Sequence, residues 1–175
     1  MDVLAVGLYN LSVCISDIER KVAGYVKLAK LWERKREESC RFHYKHFQEQ
    51  FDGKEGYCLT GVYIDITGKK LIKQRTEMIR LLCACTAGKI NCIAAHTKAY
   101  LAASPMEFFY LMRFLIDAHI DVITEDVEYN INTITNEDHQ IEAIYETALK
   151  FASLKHGDYE SWRQGIEAAI EAVGN

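Results

Sequence analysis

The chain has 175 residues, of which 21 are basic and 25 acidic, so its net charge is −4, and 49% of its residues are hydrophobic. Together with ten glycines and one proline, this composition excludes a disordered, collagen-like or low-complexity protein. No apolar run reaches the roughly eighteen residues that a membrane helix needs. The acidic balance also argues against holding DNA by bulk charge alone.

The N-terminal region is predicted to begin with a strand followed by a helix. Residues 3–9 form a short apolar run of strand length, with no basic segment of the kind that opens a signal peptide. Ser16 and Glu19 have the spacing of a capping box. Apolar residues recur behind them at helical spacing: Val22, Val26, Ala29 and Trp32. The pattern predicts one amphipathic helix that reaches Cys40 or somewhat beyond.

Strands and helices are predicted to alternate through the middle of the chain. Residues 57–66, 90–95 and 120–124 are short apolar or β-branched runs typical of strands. The helix between the first two ends at Gly88, and Ser104-Pro105 begins a buried helix before the third. This alternation predicts a mainly parallel sheet covered by helices on both faces.

Two C-terminal helices, about residues 135–174, are predicted to follow a core of about residues 1–134 within a single domain spanning 1–175. Their apolar stripes contain Ile141, Ile144, Ala148, Phe151, Trp162, Ile166, Ile170 and Val173. Because the α/β core uses its central elements earlier, we expect these stripes to form the interface of a homodimer or tetramer. The alternative is that both helices fold back onto their own sheet.

Three stretches resemble the catalytic domain of the serine recombinases, the resolvase and invertase family. Val62-Tyr63-Ile64-Asp65, then Thr67-Gly68 and Arg75, is similar to the family's Y-x-D…SG…R stretch. Residues 88–93 are similar to its G-K-I-D-x-I strand, and residues 128–133 to its E-x-x-I-D-T. The resemblance implies a three-layer resolvase-like α/β fold with a mainly parallel four- to five-stranded sheet. It also implies a role in DNA recombination or integration, of the kind that mobile elements carry.

The family's catalytic residues are largely replaced. Its first strand ends Y-x-R-x-S, where the serine attacks the DNA phosphodiester, and the run Tyr9-Asn10-Leu11-Ser12-Val13 puts Leu11 and Val13 at the arginine and serine. The K-x-x-x-R-x-x-R run that clamps the phosphate corresponds to positions here occupied by His96, Tyr100 and Ala103. Since one arginine in phosphoryl transfer can be worth about 10³-fold or more, we expect little or no catalysis.

Some polar positions of the family site remain. The remnant catalytic candidates are Ser12, Asp65 and Arg75, although Ser12 is one residue out of register and would point to the other face of a strand. Asp65 and Arg75 fit either a phosphate site or a structural role. A local basic patch that could touch DNA weakly contains Lys69, Lys70, Lys73 and Arg75.

The resemblance and its departures lead to one main functional hypothesis and two alternatives. The main one is a degenerate recombinase-type domain that acts as an interaction or regulatory module, with another copy or an active recombinase of the same fold as its partner. One alternative is an active recombinase in which Ser12 reaches the phosphate. The other is an α/β oligomerisation protein of unrelated function.

The six cysteines are expected to be reduced thiols of a cytoplasmic protein, because no export signal accompanies them. Cys40, His43 and His46 have a spacing that suggests metal ligands, but on a helix they step by about 300° and spread around its axis. We therefore predict no metal. We predict no cofactor either, since the dinucleotide and P-loop motifs are missing from the sequence.

Overall fold

The structure, a computed structural model, describes residues 19–127, 130–135 and 156–174, together with positions 143, 146, 147 and 150. The strand predicted at residues 3–9 and the candidate nucleophile Ser12 lie outside the described residues. The same holds for four of the residues predicted at a dimer interface: Ile141, Ile144, Ala148 and Phe151.

The described strands form one parallel sheet. They are β1 (Arg20–Leu28), β2 (Tyr57–Ile66), β3 (Cys92–Ala95) and β4 (Asp121–Thr124), in the spatial order β2-β1-β3-β4. All three pairings between neighbours are parallel. This confirms the α/β class with a parallel four-stranded sheet, and it places β1 inside the sheet between β2 and β3.

Helices connect the strands and cover the sheet. They are α1 (Arg36–Phe51), α2 (Thr76–Thr86), α3 (Lys98–Leu101), α4 (Pro105–Asp117) and α5 (His156–Gly174), with short 3-10 helices at Lys30–Lys35 and Ile72–Gln74. The predicted start of α4 is confirmed, because the Ser104 side chain accepts a hydrogen bond from the Glu107 amide at 3.2 Å. None of the helices in the described part of the chain is long and apolar enough to cross a membrane.

The predicted helix from the Ser16 capping box to Cys40 is wrong. The segment 20–28 is strand β1, and α1 begins only at Arg36. Val22 and Val26 are four residues apart, a spacing that fits one helix face but also one strand face. Both faces of β1 are covered, so the five residues 22–26 are all buried, which is the pattern of a central parallel strand.

The core lies on both faces of this sheet. On one face, α2, α4 and α5 pack over Ala23 and Tyr25 of β1. On the other face, Phe47 and Phe51 of α1 pack against Val22 and Val26. A Cβ atom at Gly24 would lie 2.5 Å from the Phe47 ring, so only a glycine there lets α1 approach the sheet this closely.

Helix α5 folds back onto its own chain. Ile166 is fully buried in the core beneath it, and Trp162 packs against the same core while its indole N–H donates to Glu107 Oε1 at 3.2 Å. Tyr159 is also buried, with its ring against Tyr110. Trp162 and Ile166, placed at a dimer interface from the sequence, therefore complete the core of their own chain, because α2 and α4 leave an apolar face that α5 covers.

Candidate functional site

The polar groups considered as a site lie where the parallel strands end. Lys27 lies near the end of β1, Asp65 near the end of β2, and His96 and Glu125 immediately follow β3 and β4. In open parallel sheets this carboxyl edge is where ligands bind. Two clusters form there, one on each face of the sheet.

Asp65 caps helix α2 from outside that helix. Its Oδ1 accepts a hydrogen bond from the Glu77 amide at 3.0 Å, and its Oδ2 accepts from the Met78 amide at 2.9 Å. The hydroxyl of Tyr25 donates to Oδ2 at 3.0 Å. A carboxylate at the first amides of a helix is favoured by the unpaired N–H groups and the helix dipole. The buried Asp65 therefore holds α2 against the end of β2.

Arg75 is a structural residue of the interior. It is 0% exposed, and its guanidinium donates to three backbone carbonyl oxygens: those of Tyr100 at 2.8 Å, Leu101 at 3.0 Å and Lys70 at 2.8 Å. Arg75 therefore does not belong to the exposed basic patch in which the sequence placed it. It ties the segment after β2 to the helix after β3.

The Tyr25 hydroxyl lies close to both the Asp65 carboxylate and the Arg75 guanidinium. Burial, reinforced by the Asp65 carboxylate, raises the pKa of the Tyr25 phenol far above its usual value. The hydroxyl is thus protonated at any physiological pH and donates to Asp65. The sequence left open a phosphate site or a structural role for Asp65 and Arg75, and their polar contacts are structural.

Four lysines also lie near Asp65 and Arg75, at residues 27, 69, 70 and 73. Lys27 is paired with Asp65 in the register of β1 and β2 and is half-buried. Burial, followed by the like charge of Arg75, lowers the pKa of its ammonium group. Lys69, Lys70 and Lys73 are exposed. These three lysines, without Arg75, form the surface part of the predicted DNA patch.

On the opposite face, three histidines and a glutamate form a connected cluster. His96 Nδ1 lies 2.8 Å from Glu125 Oε2, and His46 Nε2 lies 3.0 Å from the same oxygen. His43 Nδ1 lies 3.2 Å from His96 Nε2. His43 and His46 come from α1, so one helix and two strand ends build this cluster.

The histidines of the cluster differ in environment. Burial, with smaller effects from His96 and His46, lowers the pKa of His43 to about 4, so His43 is neutral near pH 7. The His96 ring stacks on Phe47 with a centroid distance of 5.0 Å. The side chains of His46 and Glu125 are about one-third exposed, so this end of the cluster faces solvent.

This cluster was not predicted from the sequence. The spacing of Cys40, His43 and His46 suggested a different set, but Cys40 lines a separate groove beside Val62 and Ile64. A signal was available, since His96 and Glu125 each directly follow a predicted strand and β3 and β4 are neighbours with Ala95 opposite Thr124. Placing α1 over that edge required the correct position of β1.

Beside His43 the surface opens into a groove of about 550 Å³ lined by Leu28, Trp32, Lys35, Glu38, Ser39, Phe42, His43 and Tyr100. Trp32 and Phe42 are 43% and 65% exposed there. The groove is apolar along one wall and adjoins the His96 ring through Tyr100, whose ring contacts that of His96 edge-on at 6.1 Å.

No protein-family model matches the chain, and no curated protein matches it in sequence. Among solved structures, the N-terminal catalytic domain of TP901-1 integrase is similar with a TM-score of 0.54 and 16% identity, over 81% of this chain and 98% of that one. The C-terminal catalytic domain of the IS607-like serine recombinase ISC1926 TnpA reaches 0.49 and 13% identity, over 89% and 99%. A resolvase family site-specific recombinase from Streptococcus pneumoniae reaches 0.48 and 14%, over 89% and 100%.

The chain therefore has the α/β fold of a recombinase catalytic domain, which is the fold that the resemblance to serine recombinases implied. At this level of identity the similarity concerns the fold.

Proposed function

We propose that the chain is a serine recombinase-type domain that does not cleave DNA and that acts as an interaction or regulatory module in DNA recombination. Its partner is a second copy of the chain or an active recombinase of the same fold. The observation that carries the proposal is the complete burial of Arg75, whose guanidinium donates to three carbonyl oxygens instead of facing a phosphate.

The position of β1 supports the proposal further. When the family's Y-x-R-x-S pattern is placed on the described central strand, it falls on Tyr25-Val26-Lys27-Leu28-Ala29. Lysine then replaces the arginine, and the exposed Ala29 replaces the serine nucleophile. An alanine methyl group has no oxygen to attack phosphorus, so this register, like the one that runs through Ser12, lacks the nucleophile in its family position.

The arginine clamp is also replaced by other chemistry. The half-buried Tyr100 and the exposed Ala103 stand at the two arginine positions. At the lysine position before them stands His96, which contacts Glu125. Neither alanine nor tyrosine neutralises the charge that develops on a phosphate in the transition state. Because catalysis of phosphoryl transfer is mainly positioning and charge neutralisation, the combined losses amount to many powers of ten in rate.

The test is a nicking assay on supercoiled plasmid, with the purified chain and its Ser12→Ala variant side by side and an active recombinase as positive control. We expect neither protein to produce nicked DNA or a covalent protein–DNA adduct. Cleavage or an adduct that requires Ser12 would contradict the proposal and establish the active alternative.

A further inference from the structure

Among the described residues, the cluster on the α1 face contains a set of side chains suited to a metal ion. His46, His96 and Glu125 each offer one donor atom, and these atoms all lie within 4.8 Å of one another. Two imidazole nitrogens and one carboxylate oxygen are a donor set that suits zinc and neighbouring first-row divalent ions. The role in DNA recombination proposed above requires no metal at this set.

We propose that His46, His96 and Glu125 bind one zinc-type divalent metal ion, with a fourth position open to water. The proposal is independent of the proposed function, because it concerns the opposite face of the sheet from Lys27, Asp65 and Arg75.

The two nitrogen-to-oxygen distances in this set are close to those around such an ion. Zinc lies about 2.0–2.2 Å from nitrogen and oxygen ligands, so two donors in a tetrahedral site are about 3.3 Å apart. The two histidine nitrogens lie 2.8 and 3.0 Å from Glu125 Oε2. These contacts need to open by only a few tenths of an ångström, and side-chain rotation supplies that at an exposed carboxylate.

Protonation also permits binding. Without metal, His96 Nδ1 and His46 Nε2 both donate to Glu125, since a carboxylate is only an acceptor. When each imidazole carries its proton on the other nitrogen, both donor atoms are free for the metal. The Nε2–H of His96 then donates to His43 Nδ1, 3.2 Å away.

The surroundings of His96 resemble the outer shell of known metal sites. A metal-bound histidine almost always donates its second ring N–H to a further partner, and His43 is in place as that acceptor. The Phe47 ring stacked on His96 fixes the plane of the imidazole. The exposed sides of His46 and Glu125 provide the path by which an ion enters.

The binding partners come from three separate parts of the chain. His46 lies on α1, His96 follows β3 and Glu125 follows β4. A bound ion would therefore fasten α1 to the carboxyl edge of the sheet. We expect zinc to raise the midpoint of thermal unfolding, since a ligand that binds only the folded state stabilises it by mass action.

The experiment uses the full chain, stripped of metal with a chelator and kept reduced, and titrated with Zn²⁺ by calorimetry and with Co²⁺ by visible absorption. We expect one equivalent of Zn²⁺ to bind and Co²⁺ to give the visible bands of a four-coordinate site. Glu125→Gln and His46→Gln, at side chains that are only about one-third exposed, should weaken binding by more than the about 10–100-fold typical of outer-shell changes.

His119→Asn is the matched control. It removes a histidine at the opposite, amino end of β4, and asparagine tolerates the φ of 58° at that position. It should bind zinc like the parent chain. Circular dichroism checks that each variant is folded, and two ligand variants are used so that one misfolded protein does not decide the test.

Three results would overturn the proposal. The first is the absence of saturable Zn²⁺ binding up to about 1 mM. A dissociation constant of that size corresponds to a binding free energy of only about 4 kcal/mol. The second is equal affinity in the parent chain, Glu125→Gln and His46→Gln. The third is a thiolate-to-cobalt charge-transfer band in the near ultraviolet, which would assign the ion to a cysteine such as the exposed Cys58.

Discussion

Arg75 shows how the same residue type can serve chemistry or structure depending on what surrounds it. An arginine that binds phosphate keeps its N–H donors free for the ligand, whereas Arg75 spends donors from both terminal nitrogens on backbone carbonyls. The carbonyls belong to segments that the sheet does not join directly. The Arg75 charge therefore supports the fold. Its removal should lower the free energy of unfolding rather than DNA affinity.

Replacing Arg75 by lysine should destabilise the chain by about 3 kcal/mol or more. A lysine ammonium is a point donor that cannot satisfy three carbonyls in the planar arrangement of a guanidinium, and breaking a buried charged contact costs about that much. Urea unfolding followed by circular dichroism measures the change. The control is Lys69→Ala at an exposed position, which should stay within about 0.5 kcal/mol of the parent. Equal stability of the two variants would contradict the structural role of Arg75.

At the level of single residues, the sequence identified Asp65 and Arg75 as special but left their role open. The role depends on partners far along the chain, such as the carbonyl oxygens of residues 100 and 101, which no local pattern reveals. The histidine cluster was not predicted from the sequence for a related reason. Its members lie on three elements, and their meeting depends on which segment forms the central strand.

At the level of elements, the contact between Gly24 and Phe47 sets the position of α1. The Phe47 ring lies directly over the Gly24 backbone, and the same ring stacks on His96. The distance between helix and sheet therefore also sets the distance between the helix histidines and the strand-end residues. A larger side chain at residue 24 would move α1 away from the sheet and the helix histidines away from the strand-end residues.

Gly24→Ala should destabilise the chain by about 1–3 kcal/mol, the usual effect of overpacking a tight core contact. The control is Gly61→Ala on β2, where the new methyl carbon would lie 4.0 Å from its nearest neighbour, Cε2 of Tyr63, and the backbone φ is not positive. Thermal unfolding of both variants measures the effect. If Gly24→Ala is as stable as Gly61→Ala, then α1 adjusts its position freely, which would contradict the close packing described above.

The prediction of elements succeeded for the start of α4 and for β2. Ser104 and Pro105 marked the start of α4, and the β-branched run 57–66 marked β2. The prediction failed at residues 20–28, because a buried parallel strand is apolar on both faces and lacks the alternation that distinguishes a strand. The lysine- and arginine-rich segment that follows favoured extending one helix through both.

At the level of the whole molecule, self-association is a prediction that rests on the segment before α5. Ile166 and the packed face of Trp162 are used within the chain, which leaves the apolar stripe that the sequence predicts before α5, with Phe151, as the predicted contact. A homodimer built there would also agree with the proposed role as an interaction module.

We expect light scattering at micromolar concentration to give about twice the chain mass of 20.1 kDa. Phe151→Glu should shift the population to monomer, because burying an unpaired carboxylate in an apolar contact is unfavourable. The matched control is Phe42→Glu, an exposed phenylalanine on α1, which should leave the mass unchanged. A monomer unaffected by Phe151→Glu, or a dimer broken by Phe42→Glu instead, would contradict the predicted interface.

The order of the strands has a consequence for how the chain folds. β1 occupies the interior of the sheet, yet both strands that flank it come later in the chain, and β3 follows only after α1, β2 and α2. During synthesis on the ribosome, β1 therefore emerges before the other described strands and stays without its second neighbour until β3 has been made. Sheets with such non-local parallel pairing fold slowly, and an unpaired strand edge stays exposed until they have folded. We therefore expect the growing chain to be most prone to aggregate in the interval before residues 92–95 leave the ribosome.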